Sequence, residues 1–153
     1  MSIMSQQALL VAAAIATGLV AGTFAAFSAA VLPGLARGSD RTFVEAMRQA
    51  NAAIQNPLFF AAFFGAAVLP AAAAWSLDGP AAGWALAGLA CYLVAFATTV
   101  VVNVPLNNRL DAAGEDHAAA RAAYERPWTR ANHARVVAAT AALGCLVLAA
   151  LSC

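Results

Sequence analysis

Two polar clusters interrupt an otherwise apolar chain, and both carry residue types able to bind or activate an oxygen atom. The first is "VVNVPLNNRLDA", Val101 to Ala112, where three asparagines, a proline, an arginine and an aspartate close a hydrophobic run. The second is "PWTRANHARVV", Pro127 to Val137. On a helix, Thr99, Asn103 and Asn107 fall one turn apart on a single stripe. Trp128, Asn132 and Arg135 share another stripe, from which His133 projects away with Thr129 and Arg130. Pro105 cannot donate to the carbonyl of Val101, so a bend that frees a backbone acceptor is expected there.

Arg135 lies more than two turns inside an apolar helix that Pro127 is expected to begin. An arginine at a helix centre in a bilayer costs about 2.5–3.5 kcal/mol and normally faces the bundle interior and finds partners. Asn51, Asn103, Asn107 and Asn132 are suitable neutral partners, coming from three separate segments. Their carbonyls accept from the guanidinium fork, and their NH2 groups remain free to donate to a ligand oxygen. With the Trp128 indole to meet a ring face, the set suits a flat, oxygen-bearing aromatic guest. Two blander arrangements compete: Arg135 snorkelling to the surface beside an interfacial Trp128, and asparagines acting only as interhelical glue.

Several chemistries are excluded. The apolar segments hold no carboxylate, so paired-acid catalysis is out. Neither loop has a glycine-rich phosphate cradle or a cluster of metal ligands, and Ser28 and Ser39 have no nearby histidine to activate them. His117 reads as a surface residue. A bis-histidine haem lacks its second ligand, which leaves a single axial His133 as the one haem alternative. Cys91, Cys145 and Cys153 form no CxxC pair, and the first two read as small apolar residues within spans.

The elements that must hold these residues are membrane helices. Of 153 residues, 63% are hydrophobic and only 10% charged, with mean hydropathy +0.78, whereas soluble domains carry about 25% charged residues. Four stretches, Ala8 to Leu32, Leu58 to Leu77, Ala81 to Val102 and Trp128 to Leu151, each reach the roughly 20 residues that cross a bilayer core. The chain is expected to be one integral membrane domain, 1–153, with no cleaved leader because the first stretch is too long and lacks a preceding basic residue. Pro33 is expected to end span one, Pro57 and Pro127 to open spans two and four, and Pro70 to kink span two. "LDGPAAG", Leu77 to Gly83, reads as the turn of a hairpin.

Charge then sets orientation. All eight basic residues are arginines, lying between spans one and two or between spans three and four and in the first turns of span four. The positive-inside rule places both long loops in the cytoplasm and both termini outside the plasma membrane. The first loop predicts an interfacial helix capped by Ser39 or Asp40, with Phe43, Met47 and Ile54 on its apolar side, Asn51 there too, and Arg41 pairing with Glu45. The second predicts a short solvated helix over 116–124. The fold class is therefore all-α, a four-helix transmembrane bundle with an interfacial helix between spans one and two. A net charge of +1 leaves no basic surface for nucleic acid. The partners expected are the lipid bilayer and a small lipophilic aromatic ligand, with homo-oligomerisation left open.

The motifs "VNVPLNNRLDA" and "RPWTRANHARVVAAT", with "GLVAGTFAAFSAAVLPGL" and "FVEAMRQANAAIQNPLF" before them, resemble the anthrone oxygenase-like family of small four-helix membrane proteins. That resemblance implies oxidation of an anthrone to an anthraquinone by O2, a monooxygenase reaction with no dedicated flavin or metal. Carried over to this chain, it further implies that Arg135, Asn103 and Asn107 stabilise the oxyanion, that Trp128 and Asn132 shape the binding pocket, and that His133 serves as base. Asn51 joins the binding residues from the polar cluster itself. The alternatives are a non-enzymatic membrane protein that binds an amphipathic ligand or haem, and a structural or assembly subunit.

Overall fold

Five helices, with no strand among the described residues, make up the computed structural model, which describes residues 2–153. Four are long and apolar enough to cross a membrane: α1 (Ile3–Leu35), α3 (Pro57–Ser76), α4 (Gly79–Ala112) and α5 (His117–Leu151). The amphipathic α2 (Asp40–Ala53) joins α1 to α3. Each long helix packs chiefly on its neighbours in the chain, and α5 closes the ring against α1. The class is all-α, as the sequence predicts.

The bundle is inside-out relative to a soluble one. Its interior is built from small residues, with Ala13, Ala66, Ala73, Ala85, Ala95, Ala139 and Ala142 fully buried, while Val68, Trp75, Val101, Val137 and Leu151 are more than half exposed. Without water to drive helices together, a lipid-embedded bundle gains from close backbone approach and van der Waals packing. Gly88 shows the limit of that approach. A Cβ placed there would lie 3.2 Å from the Ala142 carbonyl oxygen and 3.2 Å from Leu146 Cγ, across the α4–α5 contact. The buried Tyr92 hydroxyl finds a backbone acceptor, the Phe63 carbonyl, at 2.7 Å and so ties α4 to α3.

Pro57 opens α3 as expected, but two other prolines behave differently from the sequence expectation. Pro33 does not end span one and Pro127 does not begin span four; both lie within continuous helices. Pro33 is accommodated by a π-helical turn over Phe27–Val31, in which the Leu32 N–H reaches back to the Phe27 carbonyl. An identical device, Thr99–Asn103 with the Val104 N–H on the Thr99 carbonyl, precedes Pro105 in α4. The widened turn moves the carbonyl that a proline ring would strike, so the helix continues instead of breaking. The short helix expected over 116–124 is thus the first part of α5. Between α3 and α4 the link is only Leu77 and Asp78, with Gly79 at φ +61, a left-handed conformation that glycine adopts freely.

At 34 and 35 residues, α4 and α5 extend about 50 Å at 1.5 Å per residue, well past a 30 Å hydrocarbon core. Their overhanging ends, with α2 and the end of α1, form a cap. Leu32, Phe43, Val44, Met47, Leu110, Tyr124 and Trp128 make its apolar core. Ser39 caps α2 by accepting from the Thr42 N–H at 3.1 Å, and Arg41 meets Glu45 at 2.7 Å. Two loop arginines satisfy helix C-termini, whose carbonyls lack helical partners. Arg48 donates to the Leu110 and Ala113 carbonyls of α4, and Arg121 to the Ala36 and Gly38 carbonyls after α1 and to Asp40.

Gly88→Val should lower the thermal unfolding temperature of the detergent-solubilised protein, by about 1–3 kcal/mol of overpacking. Gly144→Val, at a position with nothing within 4 Å of an added Cβ, should leave it unchanged. Equal behaviour of the two variants would mean that the α4–α5 approach is not close.

Candidate functional site

Arg135 faces the inside of the bundle on α5 and is 5% exposed. Among the described residues no salt bridge reaches it, and its partners are neutral. Nη2 donates to Asn132 Oδ1 at 2.7 Å and Nη1 to Thr99 Oγ1 at 3.3 Å. Its Cζ lies 4.2 Å from the Phe24 ring centroid and 5.2 Å from that of Trp128, so two aromatic faces take part of the charge. Nε is buried without a hydrogen-bond partner.

Asn132 fixes this arrangement. Its Nδ2 donates to the Phe24 carbonyl at 2.9 Å and to Ser28 Oγ at 2.7 Å, both on α1. With both N–H bonds committed there, the amide oxygen can only turn towards the guanidinium. A second relay lies one layer towards the cap. Asn107 Oδ1 accepts from the Tyr124 hydroxyl at 2.9 Å and from Trp128 Nε1 at 2.8 Å, and Asn51 Nδ2 reaches the Tyr124 oxygen at 3.4 Å. The Trp128 ring is thereby held against Tyr124, with centroids 6.0 Å apart, and against Phe27 at 5.7 Å. Asn103 Nδ2 donates to the Trp128 carbonyl at 3.5 Å, while its Oδ1 is buried and unpaired.

A cavity of about 310 Å³ opens beside these groups and is lined from all five helices. This is near the lower end of the roughly 300–1,000 Å³ typical of small-ligand sites, room for a few fused rings. Asn51, Asn103, Asn107, Trp128, Asn132 and Arg135 all line it, as do seven of the eight phenylalanines.

The structure departs from the sequence expectations at three points. His133 does not join the cavity: it is exposed on α5 and absent from the lining, because one residue beyond Asn132 turns it about 100° away on the helix. It is therefore not placed to act as base there, nor to offer an axial ligand inside the bundle. Asn103 and Asn107 make no hydrogen bond to Arg135; Thr99 and Asn132 do. Three contributors escaped the sequence reading: Tyr124, Phe24 and Asp111, which lines the outer rim of the cavity. Tyr124 precedes Trp128 by four residues and Asp111 follows Asn107 by four. Both continue stripes that were cut short by ending the helices too early. Phe24 carries no such signal.

Among the described residues no three metal-ligating side chains gather. The arrangement offers instead a desolvated cation with an unused N–H, an unused amide acceptor, and aromatic walls. Such a site favours developing negative charge on an oxygen held within it.

Asn107→Ala leaves the Tyr124 hydroxyl and the Trp128 indole without their acceptor, so about 1–3 kcal/mol of stability should be lost. Tyr124→Phe should cost less, since Trp128 keeps its partner. Thermal unfolding of both variants checks this, and a Tyr124→Phe loss as large as that of Asn107→Ala would mean that the indole bond contributes nothing.

Searches of curated proteins and of solved structures found no match. A family model does match, that of the anthrone oxygenases, over residues 43–145. The matched stretch runs from α2 into the second half of α5 and holds both polar motifs. It leaves out α1, to which the sequence resemblance had also extended. Because the match covers well over half of the chain, including every asparagine of the cavity together with Trp128 and Arg135, the chain belongs to the anthrone oxygenase family.

Proposed function

We propose that the chain is a membrane oxygenase that converts a lipophilic, anthrone-type phenolic substrate to its quinone with O2, in the cavity at the cytoplasmic end of the bundle. The observation that carries this reading is the state of Arg135: a buried cation without a counter-ion, its Nε–H unspent, on a residue that lines an aromatic cavity. A stripe that served packing alone would spend Arg135 Nε and Asn103 Oδ1 on other protein atoms, because unpaired buried polar groups are costly.

An anthrone carries a weakly acidic CH2 opposite a ring carbonyl. Loss of one proton gives an enolate whose negative charge rests on the oxygen, where Arg135 and the Asn103 amide stabilise it. Asn103 Oδ1 can accept from a ring hydroxyl, and Trp128 and the phenylalanines hold the ring plane. The proton leaves towards the outer rim, where Asp111 is the one carboxylate among the lining residues. The carbanionic carbon then bonds to O2. The O–O bond breaks as the second C–H proton is lost; one oxygen atom stays as the new carbonyl, and the other leaves as water with both hydrogens. The methylene carbon supplies all four electrons, so the reaction needs no flavin, haem or metal, and no external reductant.

With the arginine-rich loops in the cytoplasm, the cap and cavity face inward and both termini lie outside the plasma membrane. Purified protein should consume O2 when given an anthrone, beyond the spontaneous rate. Arg135→Ala and Asn103→Ala should each lose about 10²–10³ of that rate. No uptake above background in the wild type, or a loss in the variants that merely follows unfolding, would overturn the assignment. Orientation has its own test. Cys153, exposed at the end of the chain, should react in intact cells with a membrane-impermeant maleimide; labelling only after cell lysis would reverse the topology.

A further inference from the structure

We propose that the cavity fills from the bilayer, through a slot between α3 and α4, and that its ligand is a lipid-dissolved aromatic oxygen compound carrying an apolar tail. The inference rests on the reading of the cavity as a ligand site, but not on any oxidation taking place there.

The cavity has two rims of opposite character. Towards the cap it is edged by Gln55, Asn108 and Asp111, all exposed and polar. On its side it is edged by Phe60 and Phe64 of α3 and Val100 and Val104 of α4. These four line the cavity and are also 41%, 51%, 50% and 42% exposed, respectively. Side chains that line the cavity and are also half exposed mark where its wall is only one side chain thick. Spaced four apart on each helix, they form two facing ladders along the gap, and their apolar character suits hydrocarbon rather than water.

The slot has a floor and an interior. At the level of Phe64, Phe63 stacks on Phe96 across the α3–α4 contact with centroids 4.8 Å apart, and Phe64 meets Phe96 at 6.0 Å, which closes the gap there. Above that floor, the π-helical turn of α4 alternates its residues between the two surfaces. Thr99 and Asn103 meet the polar groups inside, while Val100 and Val104 edge the slot. None of the hydrogen bonds around Arg135 or Asn107 involves α3, and the polar tie between α3 and α4, from Tyr92 to the Phe63 carbonyl, sits beside the Phe63–Phe96 stack at the floor. A ligand whose oxygens sit at Arg135 and Asn103 fills the 310 Å³ with rings. A longer substituent then has one apolar way out, into the lipid.

The test reads binding through Trp128, which lines the cavity. Trp75 and Trp84, 93% and 40% exposed, are replaced in a Trp75→Phe/Trp84→Phe protein so that only Trp128 fluoresces. The protein is reconstituted in phosphatidylcholine vesicles and given either a naphthoquinone with a long alkyl chain or a water-soluble naphthoquinone sulfonate. The alkylated probe should quench Trp128 saturably, and the sulfonate should not. Val100→Phe/Val104→Phe, which narrows the slot at two half-exposed positions, should weaken the quenching by about tenfold. Asn108→Phe at the polar rim should not. Equal quenching by both probes, no quenching by either, or loss in Asn108→Phe but not in the slot variant overturns the proposal. Counting the quinone that stays with otherwise unaltered protein after gel filtration gives the same comparison if the tryptophan substitutions disturb folding. Saturable binding without O2 uptake would uphold the slot and sink only the oxygenase reading.

Discussion

A guanidinium held inside a bundle of helices long and apolar enough to cross a membrane, without a carboxylate beside it, sets the terms for everything near it. Charge in so poorly solvated a place must be met by dipoles and π faces, and Arg135 draws these from three helices: Phe24 of α1, Thr99 of α4, and Asn132 and Trp128 of its own α5. Asn132 extends the tie to α1 through both of its N–H bonds. The fourth long helix, α3, brings no polar group to the cluster and supplies only phenylalanine walls. Three helices bound around a cation and a fourth standing off leave a space between them, and that asymmetry decides where the cavity lies and which way it faces.

The cap protects that charge. The overhanging end of α4 would expose unpaired carbonyls, and that of α5 the Trp128 layer, to water if they stood alone. Instead, α2 lies across them with Phe43, Val44 and Met47 buried, and Arg48 and Arg121 close the C-terminal ends of α4 and α1. The loop arginines that read as topology markers in the sequence therefore also hold the cap together. Net surface charge has little to do with it, since each is committed to specific carbonyls or carboxylates.

The stripe Trp128–Asn132–Arg135 was legible in the sequence because helical periodicity needs only a continuous helix, and that segment is continuous. The span count and the capping of α2 were legible for the same kind of reason: each depends on local chemistry. What failed was the treatment of proline as a stop. Pro33 and Pro127 lie inside long helices, Pro33 behind a π-helical turn whose formation depends on packing that the sequence does not spell out; Pro105, expected only to bend its helix, follows another such turn. Beginning α5 at Pro127 hid Tyr124, and ending the stripe Thr99–Asn103–Asn107 at Asn107 hid Asp111. The partner of Asn107 could not be foreseen, because it is set by how α4 and α5 cross beyond the membrane core. His133 was held as a candidate on residue type alone, against its helical phase, and phase decided its place.

The proposed chemistry would also account for a site of this kind in a membrane. A carbanion is lost if it meets a proton donor before it meets oxygen, so a water-poor cavity favours the productive encounter. O2 is itself apolar and enriches in hydrocarbon, so one apolar path can serve both the flat substrate and the oxidant. A carboxylate partner for Arg135 would have stabilised the resting protein but cancelled the field that an enolate oxygen needs. Neutral amides and ring faces hold the guanidinium in place and leave its charge unspent. That would be the distinction between a cation that locks helices together and one that is kept for a ligand, and the proposed function takes the buried, unpaired Nε of Arg135 and Oδ1 of Asn103 as signs of the second.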